Sequence, residues 1–599
     1  MAQEVQSATI DLTDQPRAGT PLFAKLRLIA ALAATVTLLP YAWGRTLLVY
    51  LMAGRAEPYY AGMVALGIVV VIVLTIGLAR KFPSARVRRN IGRFVAALWV
   101  AVVGGVVFFN TGTLIPRPIV LLAFLPATAW VVWTGWMFFA PLRWSTRLGV
   151  LALSLAAVVP FVTFFQVQGL TGDSKVNFSY RHAASVAGGN PWQDDAAATA
   201  TIRLESSGPN QFPGFQGAER TAVIDGVKLA RDWNTQPPKL LWKKTVGEGW
   251  SGFAVAGQGA VTLEQRDDKE CVVARDLLTG EEAWVHADEA RFDNTMGGPG
   301  PRATPAIADG HVYAIGATGI LNCLNGETGT CVWQVNVLED NGAENQGHGV
   351  CGSPLIVDNL VVICPTGSDG RSLAAYDRKD GRRVWIAGIE RASYSSPMLA
   401  DVAGTRQILY YNSESVAAHD PRSGELLWSY PWTNDQKVVC SQPIVVPGDH
   451  NRVLLTTGYG SGSTLIGIHR SADDRWQSPE QIWKSRHMKT KFTTAVAHDN
   501  HVYGLDDGIL QCIELETGEA KWKRGRYGHG QLLLVDDLLL IQTEPGEAVL
   551  VEANPQKLVE LGRIPALDSK TWNCPALAGR YLVTRNDHEA VCYELPLAE

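Results

Sequence analysis

The chain has 599 residues, of which 47% are hydrophobic, and a formal net charge of −5. This length excludes one ordinary domain, and the apolar residues are unevenly spread. Residues 24–168 hold long apolar runs, whereas residues 170–599 alternate and are rich in turns. The nine cysteines all follow residue 270, and no CxxC or CxxCH occurs, which argues against a zinc ribbon or c-type haem.

Five apolar runs in the N-terminal third predict transmembrane helices. Each run is near the roughly 20 residues that a helix needs to cross a bilayer. A cleaved signal peptide would explain only the first run, and no small-residue cleavage site follows it, so five spans are the better interpretation. The runs are 28–43, 61–78, 94–109, 118–140 and 148–165.

Basic residues flank these runs unequally. Eleven lysines and arginines lie on the side of the N-terminus and three on the other side, so the positive-inside rule places the N-terminus in the cytoplasm. An odd number of spans then delivers the chain after residue 170 to the outer face. We therefore expect a multi-pass protein of the bacterial inner (cytoplasmic) membrane, in contact with lipid, whose C-terminal part is periplasmic.

The predicted membrane domain lacks the side chains of proton relays and haem ligation. Between Glu57 and Asp173 there is no Asp, Glu, His or Cys, so we interpret the spans as an anchor. A lipid-quinone site built from Trp130, Trp133 and Trp136 stays open as an alternative, beside an interfacial aromatic belt.

A short pattern recurs along the exported part. Five segments align without gaps on a tryptophan, with glycine four residues earlier, Asp, Asn or Glu eight earlier, and Ala or Cys ten earlier. A fixed period of this kind is typical of repeat architectures. Glycine accepts positive φ where a hairpin closes, and tryptophan offers a large apolar face to bury between sheets. The aligned residues are Trp284, Trp333, Trp385, Trp428 and Trp522, with Gly280, Gly329, Gly381, Gly424 and Gly518.

Three further positions complete a predicted ring of eight blades. Trp242 and Trp483 mark two more outer strands, and Leu561 takes the tryptophan position of another. The strand at Trp242 has no preceding strands of its own, so we expect it to complete the C-terminal blade and close the ring. The fold class is thus an all-α membrane domain of about five helices plus an all-β eight-bladed propeller. The predicted domains are a cytoplasmic tail (1–23), a transmembrane domain (24–168), an extended lead-in (169–238) and the propeller (239–599).

The segments "ARDLLTGEEAW" and "CIELETGEAKW" resemble the tryptophan-docking motif of PQQ-like, quinoprotein/BamB-type propellers over roughly residues 210–597. Five spans before a propeller also resemble the membrane-bound glucose dehydrogenases. The resemblance implies the fold strongly and an activity weakly. Quinoproteins hold PQQ over the central channel with a metal ion, a catalytic carboxylate and basic residues. This chain has no adjacent cysteines, no carboxylate cluster at the strand starts that calcium would need, and only about 46 residues per blade.

We therefore expect a non-catalytic, membrane-anchored scaffold that binds an envelope protein or an anionic ligand, with no metal and no nucleic acid partner. The alternative is a PQQ-dependent sugar or alcohol dehydrogenase, with calcium, that passes electrons to membrane quinone. Catalytic residues are not assigned by the sequence. Cys323 and Cys331 stay candidates for a cross-strand disulfide.

One face of the ring is predicted to carry the ligand site. The loops that enter the innermost strands hold eleven basic and six acidic residues, and flat aromatic side chains accompany them. Converging cations with aromatic rings suit an anionic, aromatic or carbohydrate ligand. We call this face the mouth. Its candidate ligand-binding residues are Trp250, Arg302, Tyr394, Lys491, Arg526, His529, Lys570 and Trp572.

Overall fold

A computed structural model of the chain describes residues 210–598 apart from 295–296 and 368–369, together with 145–146, 149, 165–170, 176–180, 202–204 and 208. The predicted transmembrane runs lie almost wholly outside these residues. Among the residues that are described, no helix is long and apolar enough to cross a membrane. The chain divides into two compact units, and Gln168–Phe178 with His182–Glu599 form the second, which contains the propeller.

Eight antiparallel blades form the propeller, each with four strands from the axis to the rim. The innermost strands of neighbouring blades contact one another around the axis, and most of their residues are buried. This arrangement confirms the predicted eight-bladed fold. Five strands precede blade 1 in the chain: β1 (Phe165–Leu170), β2 (Val176–Tyr180), β3 (Gln211–Phe212), β4 (Val223–Ile224) and β5 (Lys239–Thr245).

The blades follow the chain in order. Blade 1 contains β6 (Ala254–Ala256), β7 (Gly259–Arg266), β8 (Lys269–Asp276) and β9 (Glu282–Asp288); blade 2 contains β10 (Ala306–Ala308), β11 (His311–Ile315), β12 (Ile320–Asn325) and β13 (Cys331–Asn336), followed by helix α1 (Val337–Asp340); blade 3 contains β14 (Leu355–Val357), β15 (Leu360–Ile363), β16 (Leu373–Asp377) and β17 (Arg383–Ala387); blade 4 contains β18 (Met398–Val402), β19 (Thr405–Tyr411), β20 (Ser415–His419) and β21 (Leu426–Pro431).

The second half of the ring repeats this order. Blade 5 contains β22 (Ile444–Val446), β23 (Asp449–Thr457), β24 (Gly462–Gly467) and β25 (Glu480–Ser485); blade 6 contains β26 (Val496–His498), β27 (His501–Asp506), β28 (Ile509–Glu514) and β29 (Ala520–Arg526); blade 7 contains β30 (Gln531–Val535), β31 (Leu538–Gln542), β32 (Glu547–Glu552) and β33 (Glu560–Pro565); blade 8 contains β34 (Ala576–Ala578), β35 (Tyr581–Arg585) and β36 (Glu589–Glu594), with β5 as its outer strand.

The docking motif works between blades. Each motif glycine has φ near +70° and lies against the tryptophan of the preceding blade, so that a Cβ on Gly329 would stand 2.5 Å from the Trp284 ring. The Trp284 indole N–H donates to the carbonyl oxygen of Gly326 in the same turn (2.9 Å). Trp333 also pairs across its own hairpin with the small residue Cys323, which leaves space for the indole. The glycine therefore serves both the turn and the inter-blade contact.

Trp428 is the exception among the docking tryptophans. Its N–H donates to Oε1 of Gln407 in its own blade (2.8 Å). The turn of the following blade is lengthened by residues 471–480, as the sequence predicts, so the docking carbonyl is not supplied there. In this turn Arg470 lies over Trp476, 4.2 Å from the ring centre.

Ring closure uses both a strand and a buried ion network. Strand β5 pairs with β36, which confirms the predicted completion of the last blade. Arg585, fully buried, donates to Thr262 Oγ1 and to the carbonyl of Leu263 in blade 1. Glu264 is also fully buried beside Arg266 and accepts from the backbone of Gly247 at 2.6 Å. Strand and network together join the two ends of the ring.

Residues 210–226 run through the central channel, and we call them the channel segment. Strand β3 adds to the free inner edge of β6 in blade 1, and β4 pairs in parallel with the inner edge of β30 in blade 7. Between these strands, the carbonyl of Pro213 accepts from the backbone of Ile307 in blade 2. The axis of this propeller is therefore filled by its own chain.

Candidate functional site

Hydroxyl side chains join the innermost strands just below the mouth. In four of the blades, the residue two positions before the short inner strand carries a hydroxyl group. These residues are Thr304, Ser353, Ser396 and Thr494. Ser353 Oγ accepts from the backbone of Thr304 (2.9 Å), and Ser396 Oγ accepts in turn from the backbone of Ser353 (2.9 Å). We call these four residues the hydroxyl belt. The belt fixes the positions at which the mouth loops end and the inner strands begin.

Lys570, Trp250 and Trp572 form the centre of the mouth. The Lys570 ammonium lies 4.8 Å from the Trp250 ring and 4.3 Å from the Trp572 ring. The two ring centres are 5.1 Å apart. Lys570 is only 8% exposed; burial lowers the pKa of its ammonium, and the carboxylates of Asp587 and Glu544 oppose this shift. The structure thus brings three predicted residues together, but buries the cation against the two rings.

Glu544 and Phe492 extend this cluster. Glu544 accepts from the Trp572 indole N–H (2.9 Å) and from the backbone of His529 (3.0 Å). The Phe492 ring lies 5.0 Å from Trp572 and 5.9 Å from His529. The predicted His529 therefore joins the cluster through two residues that the sequence reading missed. A glutamate directly after an inner hairpin carried no repeat signal that would have singled it out.

Arg302 and Tyr394 lie in a second group on the mouth. Arg302 lies over Phe292, 4.7 Å from its centre, and donates to the carbonyl of Gly298 (2.5 Å). His348 stands edge-on to Tyr394 at 5.2 Å. Burial, with the charge of Arg302, lowers the pKa of His348 to about 4, so this imidazole is neutral at physiological pH.

The two remaining predicted residues come from blades 5 and 6. Lys491 lies over the Tyr459 ring at 5.2 Å. Arg526 ends β29 and is exposed. Two other exposed arginines share its position near the mouth end of an outer strand: Arg524 in the same strand, and Arg486 directly after β25. We call Arg486, Arg524 and Arg526 the basic corner. In the described part of the chain, none of the three side chains has an ion pair or hydrogen bond.

The mouth does not fit PQQ, the cofactor that the family resemblance implies. A planar ring inserted between two others needs about 7 Å between them, given carbon contact distances near 3.5 Å. Trp572 stands about 5 Å from both Trp250 and Phe492, and Lys570 already occupies the indole faces. The Arg302 guanidinium is engaged by backbone carbonyls. The side chains at the mouth therefore leave no space for PQQ between these rings, and we derive no reaction step through it.

One group among the described residues has metal-ligand spacing: Asp568, His588 and Glu589. The His588 imidazole contacts Asp568 at 2.8 Å and Asp587 at 2.9 Å. The Lys243 ammonium lies 2.6 Å from Glu589. Cationic partners already neutralise these carboxylates, so the group is an ion-pair network.

The cysteines are all free thiols. Cys323 stands opposite Trp333, and Cys331 opposite Leu324, so no bridge joins the candidate pair Cys323–Cys331. Three cysteines, Cys351, Cys440 and Cys574, are half-buried on the loops that lead into β14, β22 and β34. They line the wall of the mouth, and burial raises the pKa of Cys351 and of Cys574 to about 12.

Comparisons with known proteins identify relatives of the propeller. The family model described as outer membrane protein assembly factor BamB matches residues 182–347 and 269–524, together more than half of the chain. BamB from Yersinia pestis is 21% identical over 360 residues, covering 56% of this chain and 82% of the relative. Among solved structures, BamB from Moraxella catarrhalis is 14% identical with a TM-score of 0.42, covering 60% of this chain and 100% of that one. A europium-containing methanol dehydrogenase is 13% identical with a TM-score of 0.40, covering 65% and 99%. Such distant structural likenesses do not bear on ligand or activity.

Proposed function

Because the chain belongs to the family of the outer membrane protein assembly factor BamB, we propose that its PQQ-like propeller is a non-catalytic scaffold that binds an acidic segment of another envelope protein. The relatives' name describes assembly factors, which favours a protein partner over a small substrate. The binding surface lies on the mouth side of blades 5 and 6.

The basic corner is the observation that carries this proposal. Arg486, Arg524 and Arg526 are exposed on neighbouring blades, whereas the nearby carboxylate of Asp506 is taken up by Lys489 (2.6 Å) and Lys523 (2.9 Å). Guanidinium groups without internal partners give planar, bidentate recognition of carboxylates. They also attract an acidic segment at long range.

A binding measurement with a fluorescent octa-glutamate peptide tests the surface. We expect the triple variant Arg486→Ala, Arg524→Ala and Arg526→Ala to bind about tenfold more weakly, because about 1.4 kcal/mol of ion pairing is lost. The matched control removes three exposed cations from turns at the opposite ends of the blades: Lys379→Ala, Arg422→Ala and Lys557→Ala. Equal weakening in both triples would show attraction to net charge alone and would overturn the proposal.

We further propose that the N-terminal runs anchor the propeller in the cytoplasmic membrane and that the propeller faces the periplasm. The support is the unequal distribution of lysine and arginine around the runs. Alkaline phosphatase fused after Leu170 is expected to be active, and the same enzyme fused within residues 81–93 inactive. The reverse pattern would contradict the topology.

The alternative, a PQQ-dependent dehydrogenase with calcium, draws on the family resemblance and has no favouring observation at the mouth. Purification with added PQQ and calcium tests it directly. We expect the dialysed protein to retain no quinone absorption band. A retained band, accompanied by dye reduction with sugars or alcohols, would replace the scaffold proposal with an enzymatic one.

A further inference from the structure

The channel segment contacts the propeller directly below the mouth. Arg220, which is 4% exposed, donates to the carbonyls of Ser353 (3.1 Å), Pro354 and Pro397 (2.7 Å) at the tops of blades 3 and 4. Gln216 Nε2 donates to Thr494 Oγ1 (2.9 Å) at the top of blade 6. Two side chains of one segment thus hold the inner strand starts of three blades.

The residues they hold follow the mouth loops closely in sequence. Ser353 comes two residues after the half-buried Cys351, and Pro397 three residues after Tyr394. Thr494 comes two residues after Phe492, which packs on Trp572. Both Ser353 and Thr494 belong to the hydroxyl belt. A shift of the channel segment would therefore move the bases of the loops that carry the mouth side chains.

The channel segment contains backbone strain and a buried charge, neither of which is needed simply to fill the channel. Gln216, Arg220 and Ala222 have φ of 58°, 57° and 59°, a region that is unfavourable for residues with a Cβ. Arg220 is buried with no carboxylate partner in the described part of the chain, and burial lowers its pKa. An apolar side chain in its place would avoid the desolvation of a charge. Strain and buried charge persist where the surroundings fix a geometry that function needs.

The contact at Thr494 is shared between two blades. Its Oγ1 accepts from Gln216 and also from the backbone N–H of Gln442 in blade 5 (3.1 Å). Gln442 comes two residues after the half-buried Cys440. Gln216 therefore contacts, through Thr494, the end of the loop that carries Cys440, and Arg220 contacts the end of the loop that carries Cys351.

We propose that Arg220 and Gln216 are positioning residues of the mouth: without touching the ligand, they set the geometry of the mouth loops, and Gln216 does so on the side of the basic corner. The inference rests on the mouth-side binding proposed above. Since an energetic coupling between two places acts in both directions, ligand binding also stabilises the channel segment in its seat.

Thiol labelling tests the positioning without any ligand. The full-length protein is treated with a maleimide, and the modified cysteines are quantified by mass spectrometry. We expect Arg220→Met to label about tenfold faster at Cys351, and Gln216→Ala to label faster mainly at Cys440, because each loses its own anchor. Cys574, also in the wall of the mouth but on the loop that leads into blade 8, is the internal reference. Arg220→Lys, which keeps the charge without the planar fork, is expected to lie between wild type and Arg220→Met.

The matched control is Arg231→Ala. Arg231 also belongs to the lead-in, but its ion pairs with Asp537 and Glu552 lie outside the channel, so its labelling pattern should equal that of wild type. Parallel acceleration at Cys351, Cys440 and Cys574 in both channel variants would show general destabilisation and overturn the positioning role, as would no acceleration in either.

Octa-glutamate binding then separates the two proposals. If the peptide binds wild type, Gln216→Ala is expected to weaken it about tenfold, because Gln216 holds Thr494 at the end of the loop that carries Arg486. Arg220→Met, whose contacts are at blades 3 and 4, is expected to weaken it less. Unchanged affinity of Gln216→Ala would overturn the positioning role while leaving the scaffold intact. If wild type does not bind the peptide, the proposed function fails, and the site-selective labelling still decides whether the segment positions the mouth.

Discussion

At the rim of the ring, six of the eight blades meet the next through a tryptophan and a turn that recur in the sequence. At the axis, several blades meet a segment that occurs once. The rim contact of Trp284 involves a glycine and a carbonyl of a repeated turn. The axial contacts of Arg220 and Gln216 reach three different blades. Repetition distributes similar contacts around the rim, whereas the axis concentrates several contacts in one segment.

The largest expected effect is at the rim. Trp284→Ala should lower the free energy of unfolding by about 4 kcal/mol, because a buried indole and its hydrogen bond are lost. The neighbouring Val285 points outward and is 42% exposed, so Val285→Ala should change it by less than about 0.5 kcal/mol. Urea unfolding measures both. Equal effects would mean that the rim does not hold the blades together.

The buried network at ring closure is expected to come next. Glu264→Gln leaves Arg266, Arg275 and Arg585 without their shared carboxylate, which should cost about 3 kcal/mol. Glu281, whose pairing with Lys244 is at the surface, is the control, and Glu281→Gln should cost well under 1 kcal/mol. Similar losses for the two glutamates would show that the closure of the ring does not depend on its interior charges.

A glycine pair sharpens the rim comparison. Gly329 and Gly310 have similar φ of 69° and 72°, but a Cβ on Gly329 would strike the Trp284 ring, whereas a Cβ on Gly310 would meet nothing within 4 Å. Gly310→Ala should therefore cost about 1 kcal/mol for the backbone alone. Gly329→Ala should cost about 2 kcal/mol more. Identical melting shifts would show that the motif glycine serves the turn only.

Repetition also explains how much the sequence could predict. The recurring tryptophan positions, with Leu561 and the unpaired strand at Trp242, predicted eight blades and the closing strand, because each position repeats a physical requirement. The sequence could not place Arg220 or Gln216 in the channel, since the lead-in occurs once and has no strand periodicity. It marked Lys570 and Trp572 for the mouth, but not the burial of the lysine against two indoles, which depends on packing between distant loops.

The smallest expected effect lies between rim and axis, at the mouth-side turn of blade 8. Burial lowers the pKa of His588, but the hydrogen bonds and charges of Asp587 and Asp568 outweigh it and raise that pKa to about 9. Because this is above the value of about 6.5 in an unfolded chain, the imidazolium stabilises the fold fully below pH 6.5, and its contribution is lost as the pH rises towards 9. Solvent screens the pair, since the imidazole is 44% exposed, so about 1 kcal/mol is expected.

Urea unfolding at pH 6 and pH 9.5 measures this contribution. The wild type should lose about 1 kcal/mol more than His588→Asn between the two pH values. His450→Asn, at an exposed position near the start of β23, should behave as the wild type. A wild type and a His588→Asn variant with the same pH dependence would show that the turn of blade 8 is held by its backbone.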